Sequence, residues 1–214
     1  MTPYKKLVGQ KCYLSPCSLE DAEKWTEWDN DLEVTIPLGS EAYTPLSLDR
    51  VREGIRKLIQ KESHIFSIID LKTDKLIGRC LLFDIDQINR KATFGIDIGD
   101  KAYWDQGYGQ DATKLVLDYG FNLLNLNNIM LGVFSYNERA INCYRKVGFK
   151  EIGRRRKSKL IGGKWFDGVW MDILAEEFQS PHVNKFMEKK TKWRFARKAA
   201  FDATYPVTTD GSKS

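Results

Sequence analysis

Two glycines one residue apart, Gly107 and Gly109, stand in the run Tyr103-Trp104-Asp105-Gln106-Gly107-Tyr108-Gly109-Gln110-Asp111-Ala112, between a stretch of strand character and one of helical period. That spacing suits an anion. The first turn of a helix carries backbone N–H groups with no intrahelical acceptor, and its aligned peptide dipoles add positive potential, so a diphosphate oxygen is held there. Glycines let the backbone approach without Cβ interference. The Gly-Lys-Ser/Thr ending of a P-loop is missing, as are the third glycine and later acid of a dinucleotide fingerprint.

The elements around this loop follow from period. Ala92 to Ile98 has strand character, and Ala112, Leu115, Val116, Tyr119 and Leu123 fall on one helical face beyond the glycines. Lys11 to Pro16 reads as a first strand, and Ser18-Leu19-Glu20-Asp21 as a capping signal for a helix running toward Trp28. After a loop with Pro37, Gly39 and Pro45, Ser47 caps a second helix through Leu48, Val51, Ile55, Leu58 and Ile59. Ile65–Leu71 and Leu76–Asp84 form an antiparallel hairpin, continued by Lys91–Ile98. Then come a strand over 128–135, a helix over 137–147, a strand over 149–160, and a hairpin turn at Gly162-Gly163 into Trp165–Leu174. This order implies a mixed α+β layer and not a doubly wound sheet.

The glycine loop gains its meaning from a second segment, Val133-Phe134-Ser135-Tyr136-Asn137-Glu138-Arg139-Ala140-Ile141-Asn142-Cys143-Tyr144-Arg145-Lys146-Val147-Gly148-Phe149. In this order and spacing the pair resembles the GNAT superfamily of acetyl-CoA-dependent N-acetyltransferases. More narrowly it is similar to the branch of ribosomal-protein N-terminal acetyltransferases and bacterial spermidine acetyltransferase. The similarity runs roughly from Gln10 to Phe178 and takes in Trp28-Asp29-Asn30-Asp31, the Gly162-Gly163-Lys164 turn and Phe166-Asp167. It implies the GNAT fold: a mixed, mostly antiparallel central sheet flanked by helices, with a splayed strand pair that admits acetyl-CoA.

The resemblance carries the pyrophosphate loop onto Gln106, Gly107, Tyr108, Gly109, Gln110 and Asp111, mainly through backbone amides. It implies that Ile96 and Ile98 offer edge backbone groups to the pantetheine arm, and that Asn137 contacts that arm or an ordered water. Where the family often has Gln or Arg three residues before the first glycine, this chain has Trp104.

The chemistry needs two proton-handling groups. An alkyl ammonium with a pKa of about 10.4 must lose a proton before it attacks a thioester, at a cost of roughly 4–5 kcal/mol at neutral pH, and the thiolate expelled is best protonated by a positioned acid. Tyr144 lies seven residues after Asn137, two helical turns on, so both fall near one stripe. The resemblance makes it the acid. Asp97 interrupts an apolar run between Ile96 and Ile98, and a carboxylate held there with a raised pKa could accept the proton. Many relatives carry their acid where this chain has Thr93, so the base stays open among Asp97, Glu27, Asp29, Asp31, Asp167 and solvent.

Charge bears on the acceptor. The 214 residues carry a formal +5, yet Glu20 to Glu53 holds ten acidic residues against three basic ones. Such a surface attracts a cation, and with Trp25, Trp28 and Tyr43 nearby it suits an organic amine. The expected acceptor contacts are Trp28, Asp29, Asp31 and Asp167; the acceptor itself is a small, polyamine-like cation or a protein N-terminus. Residues 1–178 read as the catalytic domain, and 179–214 as a basic extension, partly helical and then disordered. Its Lys and Arg residues with Trp193 and Phe195 suit RNA, ribosome or an anionic membrane surface, or packing on the domain or on a second subunit of a homo-oligomer.

Cys12, Cys17, Cys80 and Cys143 form no C-x-x-C pair, and with only His64 and His182 present, neither a metal site nor a Ser-His or Cys-His nucleophile is expected. The N-terminus lacks a secretory pattern and no membrane-spanning run occurs, so a cytoplasmic protein is expected.

Overall fold

The structure, a computed structural model, describes residues 3–39, 41–61, 64–180 and 183. One sheet of eight strands forms its frame: β1 (Leu7–Val8), β2 (Cys12–Pro16), β3 (His64–Asp70), β4 (Leu76–Asp86), β5 (Lys91–Asp97), β6 (Asn128–Phe134), β7 (Lys150–Ile161) and β8 (Lys164–Leu174), in the spatial order β1-β2-β3-β4-β5-β6-β8-β7. Every neighbouring pair is antiparallel except β5 and β6, which run parallel. The helices are α1 (Ala22–Asp29), α2 (Leu32–Thr35), α3 (Leu48–Gln60), α4 (Tyr108–Asn122) and α5 (Glu138–Val147).

Local signals in the chain set the ends of these elements. Ser18 forms the expected capping box with Asp21, there opening a short 3-10 turn (Leu19–Asp21) that leads into α1, and Ser47 accepts from the Arg50 amide to start α3. Gly162 and Gly163 both take positive φ and join Ile161 to its partner Lys164. A two-residue hairpin turn demands that conformation. Two elements escaped the sequence reading. β1 has only two residues and α2 only four, too short for any period to declare itself.

Strand alternation divides the core into two layers. Phe66 and Ile68 of β3 with Cys80 and Leu82 of β4 pack under α4 and α5; Ile65 and Leu81, of opposite parity, pack under α1 and α3 with Trp25, Trp28 and Ile55. Helices therefore cover both faces. Leu123, expected on the buried face of α4, is half-exposed at the helix's end, whereas Leu117 is wholly buried, because α4 is enclosed on more than one side.

The feature that positions the site is a break in pairing. β5 and β6 are bonded only at Lys91, Ala92 and Thr93 with Asn128, Ile129 and Met130; beyond these the strands part, while β5 stays on β4 through Asp97 and β6 stays on β8 through Phe134. The sheet opens there. Among the described residues no helix is long and apolar enough to cross a membrane, and all four cysteines are free thiols.

Candidate active site

A cleft of about 1380 Å³ passes through this opening. On one side it is lined by Tyr108, Gly109 and Gln110 of α4 and by Asn137 and Tyr144 of α5, and on the other by Trp25 and Asp29 of α1, Arg79 of β4 and the loop residue Glu41. Asp97, at the end of β5, borders it too.

The α4 side is made mainly of backbone. Gly107 is the N-cap of α4 and takes the left-handed conformation there. Glycine does so without strain. No hydrogen bond from the amides of Tyr108, Gly109 or Gln110 to a described residue is present, whereas the Asp111 amide already donates to the Gly107 carbonyl. Three free donors at the positive end of a long helix fit a diphosphate. A Cβ on Gly109 would stand 3.5 Å from Cys143 Sγ, filling the space between α4 and α5. Trp104 donates from Nε1 to the Ile98 carbonyl at 2.6 Å, and the Arg139 guanidinium stacks over its ring at 3.6 Å. The position without a basic side chain in sequence thus acquires one from α5.

Asn137 caps α5, its side-chain oxygen accepting from the Ala140 amide at 3.2 Å. Capping occupies that oxygen and leaves Nδ2 for the cleft. Tyr144 is held by Phe94 and Phe149, with ring centroids at 6.4 and 5.8 Å, and its hydroxyl has no hydrogen-bond partner among the described residues. Burial, with the charges of Cys143 and Asp97, pushes that hydroxyl above the ordinary tyrosine range.

The α1 side is made of charged side chains. Arg79 donates from Nε to Asp97 Oδ1 at 2.9 Å and grips Asp29 with both terminal nitrogens. Such a charge-assisted fork is a strong and directional contact. Its guanidinium lies 4.8 Å from the Trp25 ring, a cation–π contact. Asp97 is nearly buried, its side chain 11% exposed, and its Oδ2 has no partner; Trp25 Nε1 and Ser158 Oγ, also on residues of the cleft, are likewise buried without partners. Burial raises the Asp97 pKa, which Arg79 pulls back and which Asp29 and Glu41 push up further.

Several expected site residues serve other ends. Trp28 is 4% exposed, packs in the α1–α3 core beside Gly99, where a Cβ would overlap its ring, and does not line the cleft. Asp31 caps α2 and pairs with Lys101 at 2.8 Å on the surface. Asp167 accepts from the Lys157 amide across the β7–β8 bulge and does not line the cleft, although its neighbour Gly168 does. Asp111 turns its carboxylate to the amides of Gln10, Lys11 and Cys12, fastening the β1–β2 hairpin to α4. Gln106 folds back onto the Ala102 carbonyl, and Tyr108 hydrogen-bonds Asp70 at 2.8 Å, so neither side chain is left for phosphate. Ile96 and Ile98 do line the cleft, although the Ile98 carbonyl already accepts from Trp104. Glu27 is exposed and paired with Lys24.

Arg79 was missed, although a signal existed: a lone cation in the apolar strand Leu76–Leu82, matching the lone carboxylate in the apolar run of the next strand. Asp97 stands out in sequence as a candidate base, but the cation opposite it was not connected to it.

With this geometry in place, the comparisons decide the family. The sequence pattern described as Acetyltransferase (GNAT) domain matches residues 11–150. The chain belongs to the GNAT acetyltransferase family. It is 30% identical over 176 residues to the N-acetyltransferase p20 of Bacillus licheniformis, covering 80% of this chain and 97% of that one. To the spermidine N(1)-acetyltransferase of Escherichia coli K12 it is 30% identical over 169 residues, covering 79% and 89%. The crystal structure of spermidine N-acetyltransferase from Vibrio cholerae in complex with CoA and spermine superposes with a TM-score of 0.71 at 28% identity, over 78% of this chain and 97% of that one. As a GNAT N-acetyltransferase the protein uses acetyl-CoA, and the amide cradle fits the diphosphate of that cosubstrate.

Proposed function

We propose that this acetyltransferase acts on a primary amine of a small, polyamine-like cation, with Asp97 as base and Tyr144 as acid. The observation that carries the reading is the buried Asp29–Arg79–Asp97 cluster: two carboxylates against one guanidinium, with Asp97 Oδ2 unpaired, beside the same opening as the Tyr144 hydroxyl. Such a cluster favours a further cation. Glu41 adds a third carboxylate near Asp97. Two relatives named as spermidine acetyltransferases support the same acceptor class.

Parity places the two groups on opposite faces. Asp97 pairs in register with Arg79, on the α1 face, while Tyr144 packs with Phe94 in the α4–α5 layer; both border the cleft that passes through the gap left where β5 and β6 part. Acetyl-CoA supplies an activated acetyl group and a thiol leaving group. Asp97 accepts the ammonium proton, which frees the lone pair for attack on the thioester carbon. Tyr144 donates to the sulfur as the C–S bond breaks. The nitrogen loses two protons in all: one leaves to solvent through Asp97, and the other replaces the one Tyr144 gave. Of the other carboxylates considered, Asp29 has both oxygens on Arg79, and Glu27, Asp31 and Asp167 lie off the cleft, which supports Asp97.

In this reading the catalytic unit is residues 1–178, and 179–214 are an appendage whose proposed contact with nucleic acid, ribosome, membrane or a second subunit falls, apart from residues 179, 180 and 183, outside the described residues. A thiol-release assay with acetyl-CoA against spermidine, an aminoglycoside and short peptides tests the acceptor. Turnover with polyamines is expected; turnover with peptides alone would move the assignment to protein N-termini.

A further inference from the structure

Arg79 has no part in the proton transfers described above, yet its surroundings are more constrained than those of any group that does. It sits opposite Asp97 in the β4–β5 register, so the two side chains rise from the same face of the sheet. Next to it, Gly78 lets the end of β5 pass so close that a Cβ there would stand 2.3 Å from the Asp97 carbonyl oxygen. The guanidinium is fixed on three sides: by Asp97 Oδ1, by both oxygens of Asp29 at the last turn of α1, and by the Trp25 ring.

We propose that Arg79 is a positioning residue for acetyl transfer: anchored to α1 through Asp29, it holds Asp97 by one oxygen and keeps the carboxylate ionised, leaving Oδ2 for the proton of the incoming amine. The proposal rests on Asp97 as the base. Rotation of the carboxyl is prevented because Oδ1 has a fixed donor, and the free oxygen is thereby specified. A single-point ammonium in place of the fork could not hold Asp29 bidentately and Asp97 at once. The charged and titratable groups around Asp97 are Arg79 and Cys80 from β4, Asp29 from α1, Glu41 from the loop before α3, and Tyr144 from α5. Arg79 is the cation among them, and Asp29 opposes it electrostatically while fixing it in space.

The two partners should therefore move Asp97 in opposite directions. The ligand-free protein, labelled with 13C at aspartate carboxyls, is titrated by NMR, with Asp97 assigned by its absence in Asp97→Asn. In Arg79→Gln the Asp97 midpoint should rise by about one pH unit, a tenfold gain in proton affinity, because an opposite charge has been removed. In Asp29→Asn it should fall, because a like charge has gone. Arg79→Lys keeps the charge but loses the fork: its midpoint should stay near wild type, while kcat drops and KM for acetyl-CoA is kept. If Arg79→Gln does not fold, Asp29→Asn decides alone. Midpoints that shift in the same direction, or Asp29→Asn with no fall, overturn the proposal. The base assignment is read separately from the acid limb of kcat against pH: a limb that persists in Asp97→Asn removes Asp97 as base without altering the NMR result.

Discussion

The two sides of the cleft solve the same problem, holding a charged ligand, with different materials. On the α4 side the groups are main-chain donors, present in any helix and exposed by Gly107 and Gly109; on the α1 side they are three ionised side chains, the acceptor carboxylates of Asp29 and Asp97 and the donor guanidinium of Arg79. Backbone donors are set by local conformation and depend little on the rest of the fold. The ion cluster exists only when α1 has docked on the paired strands β4 and β5. On the proposed assignment, anion binding is thus the sturdy half of the enzyme, and amine activation the half that a single charge change can disturb.

The largest effect is expected where the two sides meet. Tyr144→Phe removes the proposed acid but keeps the ring against Phe94 and Phe149. Its kcat should fall about 100-fold, in the range for a lost general acid, with acetyl-CoA affinity by calorimetry unchanged. The direction of its pKa adds a check. An acid must hold its proton, and because this hydroxyl titrates above the ordinary tyrosine range, no loss of turnover from Tyr144 should occur between about pH 6 and 9. A wild-type kcat in the variant would take Tyr144 out of the chemistry.

Next comes a variant that separates the fastening of the cradle from the cradle itself. Asp111 receives three backbone amides and a thiol from the β1–β2 hairpin, and Asp111→Asn replaces an acceptor by a donor facing N–H groups. Stability should drop by about 2 kcal/mol, the order of a lost charge-assisted hydrogen bond, seen as a lower denaturant midpoint. Turnover of the folded fraction should survive. If acetyl-CoA affinity collapsed while stability held, Asp111 would belong to the phosphate site after all.

Gly109→Val probes the cradle directly. The added methyls crowd the 3.5 Å gap to Cys143 and the approach to the free amides. Acetyl-CoA affinity should weaken about tenfold, as expected when one hydrogen bond to a charged group is lost. The apparent KM for the amine should not change. Unaltered calorimetric affinity would mean the diphosphate is bound elsewhere.

The same contrast explains how much of the molecule was legible in its sequence. The strands from β2 onward, all the helices except α2, the Ser18 and Ser47 caps and the Gly162-Gly163 turn follow from short-range patterns, and so does the cradle, because the glycines and the helix that make it are adjacent in the chain. The acceptor side was legible only in outline. The acidic bias of residues 20–53 pointed to that side, but could not say that Asp29 faces inward to Arg79 while Trp28 beside it fills the core. Those fates depend on the β4–β5 register, which sets Arg79 opposite Asp97, and on the rotation of α1 over the sheet, set by packing between segments fifty residues apart in sequence.

The smallest expected effect tests that lesson within four residues. Asp29 closes α1 and turns into the cleft, whereas Asp31 caps α2 and meets Lys101 at the surface. Lys101 lowers the Asp31 pKa, and that partnership is open to water, where an ion pair contributes little. Asp31→Ala should lower the melting temperature slightly, through the lost cap, and leave kcat and both KM values as they were. Asp29→Asn, two residues away, should depress kcat and move the pH profile. Equal kinetic losses in the two variants would mean that acidity in this segment acts as a diffuse field drawing in cations, and that the fixed contact between Asp29 and Arg79 has no special place in the reaction.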